Sequence, residues 1–386
     1  MRIAIVYDCL FPHTVGGAER WYRVLADRLR ERHGVTYLTR RQWGPSDAGT
    51  AFETVAVAPG GELYTRSGRR RIWPPLRFGF GVFWHLFRNA QRYEAVHCAS
   101  FPYFSVIGAW LALRLRKSSA RLVVDWHEVW GREYWISYLG PIAGRAGDLI
   151  ERLCTRLPDQ SFTFSRLYAQ RLQRQGHSAP VVRLSGEYTG SPGEGEVSTE
   201  PPDPPLVVFA GRHIAEKNVA AIPPAVARAR EQLPSLRALI LGDGPEYGVT
   251  QRLVAELGLQ EAVEMPGRVE AAEVARSLAR ASCLLLPSSR EGYGLVVVEA
   301  ISHATPAVLV AAPDNAAVEL IEPGVNGIVA ASADPAELAA GVVEVIGSGA
   351  DLRRSTLEWY RGHAEELSIE SSLERVEQAY LSPGLA

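Results

Sequence analysis

The feature that most constrains this chain is the regular alternation of short, β-rich apolar runs with longer segments of helical spacing. The first run is Ile3–Tyr7, and Ala18–Arg32 after it carries apolar residues at helical intervals. Further strands are predicted at Val35–Leu38, Ala95–Cys98, Arg121–Trp126, Ser161–Phe164 and Val181–Leu184. Such alternation implies parallel pairing, and therefore a doubly wound α/β sheet.

A polar segment then divides the chain. Gly186–Pro205 is rich in Gly, Pro, Ser and Glu and contains almost nothing apolar, which is typical of a linker. The alternation restarts after it, and predicts strands at Leu206–Ala210, Ala238–Leu241, Ala262–Met265, Cys283–Leu286, Ala307–Val310 and Gly327–Ala330. The stretch Pro335–Leu381 indicates helix only. We therefore predict two Rossmann-like domains, over residues 1–185 and 206–365, with a ligand in the cleft between them.

Composition excludes several classes of protein. The formal net charge of -2 provides no basic field for nucleic acid. The four cysteines form no Cys-x-x-Cys pair and no disulfide framework, so we expect reduced thiols in a cytoplasmic protein. The N-terminal run of apolar residues is a strand's length and does not fit a signal peptide, and no run reaches the roughly 18 apolar residues of a membrane span.

Two cations follow the strand Leu206–Ala210. Arg212 and Lys217 lie on the connection to the next helix, where free N–H groups would face the same ligand. Arginine offers a bidentate fork and lysine a point charge, so together they suit a diphosphate. Taken alone, the pair is better explained as two solvated surface charges.

A second constellation follows the strand Cys283–Leu286. Glu291 lies on the loop, Gly292 and Gly294 allow backbone to approach a ligand, and a helix is predicted to begin near Gly294 with Glu299 inside it. A loop carboxylate accepts hydrogen bonds from sugar hydroxyls, and a second one suits a ribose diol. The alternative is a helix whose dipole is stabilised by an acid at its N-terminus. This alternative explains Glu291, but it does not explain the two glycines or Glu299.

The first half offers fewer signals. Gly16-Gly17 precedes a predicted helix and is suited to an anion, although the spacing is not that of a dinucleotide fingerprint. No phosphate loop with Gly-Lys-Ser/Thr is present, which argues against an ATPase. His127 follows the strand Arg121–Trp126, so it is a candidate for the cleft, with a structural histidine as the alternative.

Together these motifs resemble the family-four retaining glycosyltransferases of the GT-B fold. The resemblance covers nearly the whole chain and is strongest from Leu206 to Ala330. It implies two Rossmann-like domains and a final helix, about 366–386, that joins the first of them. The site residues that it implies are Arg212 and Lys217 on the donor diphosphate, Glu291 and the N–H groups of Tyr293, Gly294 and Leu295 at the transferred sugar, Glu299 on the ribose, Gly16-Gly17 at the distal phosphate, and His127 beside the anomeric carbon.

The resemblance further implies transfer from a nucleotide sugar with retention of configuration. A UDP-sugar is favoured and a GDP-sugar is the alternative; the nucleotide sugar is a co-substrate, and no other cofactor is expected. The sequence contains no Asp-x-Asp, which fits a site without metal. One segment departs from the family: Ala312–Glu319 has no glycine where members often carry Gly-Gly.

Two aromatic segments bear on the acceptor. Trp126, Trp130 and Tyr134 flank His127 and are a candidate acceptor wall, with core packing as an equal alternative. Segment 66–92 interleaves Arg66, Arg69, Arg70, Arg71 and Arg77 with aromatic residues. It could serve a lipid-linked acceptor at the inner membrane face, but a core helix behind a basic loop is the favoured interpretation.

Two other functions fit the same features. A nucleotide-sugar epimerase or hydrolase on this fold would convert the donor without an acceptor. A non-catalytic sugar-nucleotide-binding protein would keep Arg212 and Lys217 and would not catalyse a reaction. The favoured acceptor is a small molecule, a glycan or a lipid-linked sugar.

Overall fold

The computed structural model describes residues 1–44, 48–63, 71–190 and 197–381. These residues divide into two compact units. The first contains the described residues up to Ser185 together with those from Glu370 onward, and the second contains Gly186–Ile369. Three of the arginines in the basic segment, Arg66, Arg69 and Arg70, lie outside the described residues.

The first unit is built on a seven-stranded parallel sheet with the order β3-β2-β1-β4-β5-β6-β7. Its strands are β1 Arg2–Val6, β2 Gly34–Arg40, β3 Glu53–Ala58, β4 Ala95–Ala99, β5 Arg121–Trp126, β6 Gln160–Thr163 and β7 Val181–Arg183. The helices are α1 Gly17–Leu29, α2 Trp73–Asn89, α3 Tyr103–Leu115, α4 Arg132–Leu139, α5 Pro141–Cys154 and α6 Arg166–Arg174. The central strands are buried on both faces, which explains their continuous apolar runs.

The second unit has a six-stranded parallel sheet with the order β10-β9-β8-β11-β13-β15, and a short parallel pair, β12 with β14. Its strands are β8 Leu206–Ala210, β9 Arg237–Leu241, β10 Val263–Gly267, β11 Cys283–Leu286, β12 Arg290–Glu291, β13 Ala307–Val310, β14 Asp314–Asn315 and β15 Gly327–Ala330. The helices are α7 Ile222–Ala229, α8 Tyr247–Glu256, α9 Ala271–Ala279, α10 Leu295–Ser302, α11 Pro335–Gly347 and α12 Gly349–Leu367. The last helix, α13 Ile369–Leu381, lies almost entirely in the first unit.

Each sheet reverses its strand order at one point. In the first unit this point lies between β1 and β4, and in the second between β8 and β11. Ligands of open α/β sheets bind beyond the carboxyl ends of the strands at such points. The loops that follow β1, β8 and β11 therefore hold Gly16-Gly17, Arg212 with Lys217, and Glu291.

The structure contains an edge strand, β3, that was not predicted. Its apolar run Val55–Ala58 is only partly buried, as is common at the edge of a sheet. The C-terminal stretch is helical as expected and consists of three helices, with breaks at Ser348 and Ser368. In the described ranges, none of the helices has the length and apolarity that crossing a bilayer requires.

Candidate active site

The loops after β8 and β11 are joined by one ion pair. Lys217 Nζ contacts Glu291 Oε1, and only 18% and 10% of the two side chains is exposed. Two hydrogen bonds to backbone carbonyls also join these loops. Ser289 N donates to the carbonyl of Glu216 at 2.9 Å, and the Asn218 side chain donates through Nδ2 to the carbonyl of Pro287 at 3.0 Å. The structure thus brings Lys217 and Glu291, which are far apart in sequence, to one place at the switch point.

The connection after β8 is less regular than predicted. The connection was expected to lead directly into a helix, but two short 3₁₀ helices, Ala215–Lys217 and Val219–Ala221, come first, separated by Asn218 in the left-handed region. Helix α7 begins only at Ile222, and its first turn contains Pro223 and Pro224, which have no N–H to donate. The expectation of free helical N–H groups beside Lys217 is therefore wrong. Arg212 is exposed on this connection.

Helix α10 supplies the N-terminus that the second constellation predicts. Gly294 caps it with φ at +97°, and a Cβ there would lie 2.5 Å from the Cβ of Ala317, so both the conformation and the space require glycine. Leu295 is the first helical residue, and Tyr293 is buried beside the cap. Glu299 lies one turn inside the helix and is partly buried. The first-turn N–H groups of α10 and Glu291 are thus separated by only three residues of chain.

A clamp of side-chain and backbone contacts holds segment 312–319, which contains no glycine. Buried Arg290 pairs with Asp314 at 3.3 Å, and β12 and β14 place Glu291 opposite Asn315. The Asn315 side chain donates to the carbonyls of Ser288 and Val310, at 3.1 and 2.9 Å, and accepts from Ala317 N. These contacts hold the loop that carries Glu291 without any glycine in the segment.

In the first unit, α1 begins at Gly17 and Gly16 is its N-cap. A Cβ at Gly16 would collide with the carboxylate of Glu19, which folds back over the first turn of α1. An acid in the first turn is stabilised by the free N–H groups and the helix dipole. An anion at Gly16-Gly17 stays a prediction; in this structure the nearest negative charge there is the protein's own Glu19.

His127 lies just beyond β5, stacked on Phe164 with ring centroids 4.4 Å apart. Two residues before it, fully buried Asp125 accepts from Trp21 Nε1 at 2.7 Å and meets His97 Nε2 at 2.5 Å. Burial alone would raise the pKa of Asp125, but its contacts with His97, and then with His127 and Trp21, hold this pKa below its usual 3.8. Asp125 is therefore a carboxylate, and it lies two residues before His127 in the chain.

The same network reaches the C-terminal helix. His97 Nδ1 meets the hydroxyl of Tyr380 at 2.5 Å, and both residues are buried. Because the Asp125 carboxylate only accepts, His97 donates through Nε2, which leaves Nδ1 to accept from Tyr380 when the ring is neutral. Helix α13 is thereby connected to the strand that carries His127.

The aromatic segment around His127 is organised by a buried acid. Glu151 accepts from Tyr103 Oη at 2.7 Å, Trp130 N at 3.0 Å, Trp135 Nε1 at 3.1 Å and Gln175 Nε2 at 2.7 Å. Burial raises the pKa of Glu151, and these hydrogen bonds oppose the rise. Glu151 fixes the backbone at Trp130 and thus the position of the aromatic rings.

Two of the three candidate acceptor residues keep accessible surface. Trp130 and Tyr134 are partly buried and pack edge to face, with centroids 4.6 Å apart. Trp126 is fully buried, and its Nε1 donates to Ser161 Oγ at 3.1 Å. Trp126 therefore belongs to the core in this structure, and only Trp130 and Tyr134 offer a surface to an acceptor.

No metal-binding cluster is found in the ranges that the structure describes. Groups of three or more His, Cys, Asp or Glu side chains placed to hold a metal ion are absent there. The four cysteines are buried free thiols, and burial raises the pKa values of Cys98, Cys154 and Cys283. These three thiols are therefore protonated and unreactive at neutral pH.

Two family models match the chain in succession. The model of the glycosyl transferase 4-like domain matches residues 16–186, and that of glycosyl transferases group 1 matches residues 194–357. The two matches cover most of both structural units and contain every candidate site residue from Gly16 to Glu299, but not Tyr380. The chain belongs to the family-four-like GT-B glycosyltransferases.

Solved structures show the same fold. Sucrose-phosphate synthase from Thermosynechococcus elongatus superimposes with a TM-score of 0.77 over 98% of each chain at 18% identity. Anabaena HepE in complex with UDP-glucose superimposes with a TM-score of 0.69, over 98% of this chain and 99% of that one, at 16% identity. At these identities the likeness establishes the GT-B fold alone.

Curated relatives match over shorter segments. An exopolysaccharide phosphotransferase of Streptomyces coelicolor is 32% identical over 38% of this chain and 15% of its own length. The α-D-kanosaminyltransferase of Streptomyces kanamyceticus is 32% identical over 33% of this chain and 32% of its own. The matched segments thus span about a third or less of these two relatives.

Several residues that shape this GT-B site were not found by sequence reasoning. Arg290, Asp314 and Asn315 form the clamp behind Glu291, and Asp125 lies behind His127. The one available signal was a charged or amide residue at the end of a buried apolar strand or in the loop after it. Sequence separation conceals which of these residues meet.

Proposed function

We propose that this GT-B protein transfers a sugar from a nucleotide-sugar donor to an acceptor hydroxyl, with retention of the donor's anomeric configuration and without a metal ion. The observation that carries the proposal is the contact of Lys217 with Glu291 at the switch point of the second sheet. A cation suited to phosphate and a carboxylate suited to sugar hydroxyls lie side by side there, next to the N-terminus of α10. A nucleotide sugar contains both groups.

In the proposed complex, Lys217 and exposed Arg212 bind the diphosphate. The N–H groups of Tyr293, Gly294 and Leu295 add hydrogen-bond donors, since they lie at the start of α10. Glu291 accepts from hydroxyls of the transferred sugar, and Glu299, one turn further on, accepts from the ribose. UDP is the favoured nucleotide, supported by the UDP-glucose complex of Anabaena HepE, and GDP is the alternative.

The proposed reaction is a front-face displacement. The bond between the anomeric carbon and the diphosphate oxygen breaks, while the acceptor oxygen bonds to the same face of that carbon. The acceptor's proton passes to the departing phosphate oxygen, so atoms and charge balance. Lys217, Arg212 and the N-terminus of α10 would stabilise the negative charge that develops on the leaving group, which is the work a metal performs in other enzymes.

The roles proposed for residues of the first unit follow from the resemblance. Gly16 and Gly17 provide a helix N-terminus for the distal phosphate, and Glu19 now lies where that anion would approach. His127, with the charge of Asp125 behind it, would lie against the sugar near the anomeric carbon. Trp130 and Tyr134 offer aromatic faces to the acceptor, which is a small molecule, a glycan or a lipid-linked sugar.

Calorimetric titration with UDP and with GDP tests the donor site. Arg212→Ala and Lys217→Ala should each weaken binding by about 1.5–3 kcal/mol, the range for hydrogen bonds to charged groups. Arg228→Ala is the matched control, because Arg228 is exposed near the C-terminal end of α7. Equal affinity in all four proteins would contradict the assignment. The proposed location is cytoplasmic, with peripheral contact at the inner membrane face.

A further inference from the structure

Exposed large apolar side chains are distributed very unevenly between the two units. Among the described residues, the second unit exposes only Leu257. The first exposes nine on or directly before three of its helices: Ile72, Trp73, Phe80, Trp84, Leu111, Leu115, Ile142, Leu149 and Leu153. Apolar patches of this kind on a folded domain mark binding surfaces.

The three helices form one layer, because α3 packs against both α2 and α5. We call the outward side of this layer the α2–α3–α5 face. Along α2 it displays Trp73, Arg77, Phe80, Trp84 and Arg88, at intervals of three and four residues, which is one continuous helical stripe. Trp73 and Phe80 are 72% and 68% exposed. The favoured sequence interpretation, a core helix, therefore holds for only one side of α2.

Glycine packing explains why the aromatic rings point outward. A Cβ at Gly79 would lie 2.5 Å from the carbonyl oxygen of Phe104, and a Cβ at Gly81 would collide with the carbonyl of Val57. Helix α2 thus approaches α3 and β3 through its backbone, with Phe78 and Val82 filling the remaining space. The largest side chains of the helix are left on its outer side.

The charges on the face have one sign. Arginines at 77, 88, 145 and 152 are exposed, and α2 and α3 contain no acidic residue. The two acids of α5, Asp148 and Glu151, are both buried, but Asp148 pairs with Arg152 at 3.1 Å, so the basic character of the face comes mainly from Arg77, Arg88 and Arg145. Arg88 lies over the ring of Trp84 at 4.1 Å, so cation and aromatic ring share one patch. The face is therefore apolar and basic throughout.

We propose that the α2–α3–α5 face docks on an anionic lipid membrane. Trp73, Phe80 and Trp84 enter the interfacial layer, and the arginines contact lipid phosphates. An open groove of about 770 Å³ along β3 and α2, lined in part by Val55, Val57 and the same three aromatic rings, gives acyl chains a place beside the helix. This inference does not depend on sugar transfer.

A second copy of the chain fits the face less well. A symmetric contact through the same surface would bring arginines against arginines, with no exposed acid on α2, α3 or α5 to pair with them. Like charges at an interface oppose association. An anionic membrane supplies both an apolar layer and the opposite charge.

Co-sedimentation with vesicles tests the proposal, using phosphatidylcholine alone and phosphatidylcholine mixed with phosphatidylglycerol. The full chain should bind the anionic vesicles at least about tenfold more strongly than the neutral ones. Trp73→Ser with Phe80→Ser, and separately Arg77→Glu with Arg88→Glu, should each reduce the partition coefficient at least about tenfold. Leu257→Ser and Arg228→Glu, on the second unit, should leave it unchanged.

The changed residues are exposed, so thermal unfolding should match that of the parent protein and nucleoside diphosphate binding should be kept. Failure of donor binding with normal vesicle binding would remove the proposed function and leave this inference standing. The inference is overturned if the protein stays in solution with anionic vesicles, or if both double variants bind as the parent does. It is also overturned if the protein is a dimer in solution, the double variant Trp73→Ser with Phe80→Ser is a monomer, and vesicle binding is unchanged.

Discussion

The contact of Lys217 with Glu291 predicts that losing the Glu291 charge does not weaken the binding of free nucleoside diphosphate. In the structure the Glu291 carboxylate neutralises the lysine that is proposed to bind phosphate. Changing Glu291→Gln removes this competition and leaves a side chain of nearly the same shape. Free nucleoside diphosphate has no sugar, so it loses no partner at position 291. Its affinity should therefore stay the same or rise.

The size of the effect follows from the exposure of the pair. Both side chains are mostly buried but retain some contact with water, so their attraction lies between that of surface and of buried pairs. Releasing Lys217 should strengthen binding of UDP by about 0–1 kcal/mol, or up to about fivefold. Turnover should nevertheless fall by about 10²-fold or more, because a positioning contact to the sugar is lost.

Calorimetric titration of UDP against four variants makes the comparison: Glu291→Gln, Glu299→Gln, Lys217→Ala, and Glu291→Gln combined with Lys217→Ala. Glu299→Gln should weaken binding by about 1–2 kcal/mol, since the ribose is part of UDP. Glu291→Gln combined with Lys217→Ala should bind no better than Lys217→Ala alone, because the gain requires the lysine. If Glu291→Gln loses more affinity than Glu299→Gln, the reasoning is refuted and the two roles are reversed.

Three further predictions concern the metal, the aromatic segment and pH. Transfer activity should survive EDTA; complete loss on chelation, with recovery in manganese or magnesium, would refute the metal-free mechanism. Glu151→Gln places an amide NH₂ against hydrogen-bond donors at a buried site, so it should lower the free energy of unfolding by about 1–3 kcal/mol. The unfolding temperature should fall accordingly. An unchanged unfolding temperature would show that the four hydrogen bonds of Glu151 add little to stability. Burial lowers the pKa of His213 and His303 from 6.5, so the folded state binds fewer protons than the unfolded chain and stability should fall from about pH 7.5 to pH 6. Thermal unfolding followed by circular dichroism checks this, and a rise on acidification would contradict it.

The sequence was sufficient for the architecture because buried parallel strands are continuous apolar runs. Strands such as β4 and β11 are completely buried, and their positions were predicted closely. Edge strand β3 was missed although Val55–Ala58 is an apolar run, and its partial exposure at the edge of the sheet is evident only from the structure. The segment after β8 was misjudged because Pro223 and Pro224 fit the first turn of a helix, so α7 begins only at Ile222, after two short 3₁₀ helices.

The contacts between side chains at the site could not be predicted from the sequence. Nothing in the spacing of Arg290 and Asp314 shows that they meet, or that the Asn315 side chain donates to the carbonyls of Ser288 and Val310. The buried connection from Asp125 through His97 to Tyr380 joins three distant segments, and only the fold reveals it. Residue types indicated the chemistry, while tertiary structure decided which groups act together.

The most direct test of the account is the product itself. Purified protein would be incubated with a panel of UDP- and GDP-sugars, with and without candidate acceptors, and products followed by mass spectrometry and by NMR of the anomeric proton. The account predicts a new glycoside that forms only when an acceptor is present and that keeps the donor's anomeric configuration. Conversion of the donor without acceptor, or a glycoside of inverted configuration, would contradict it.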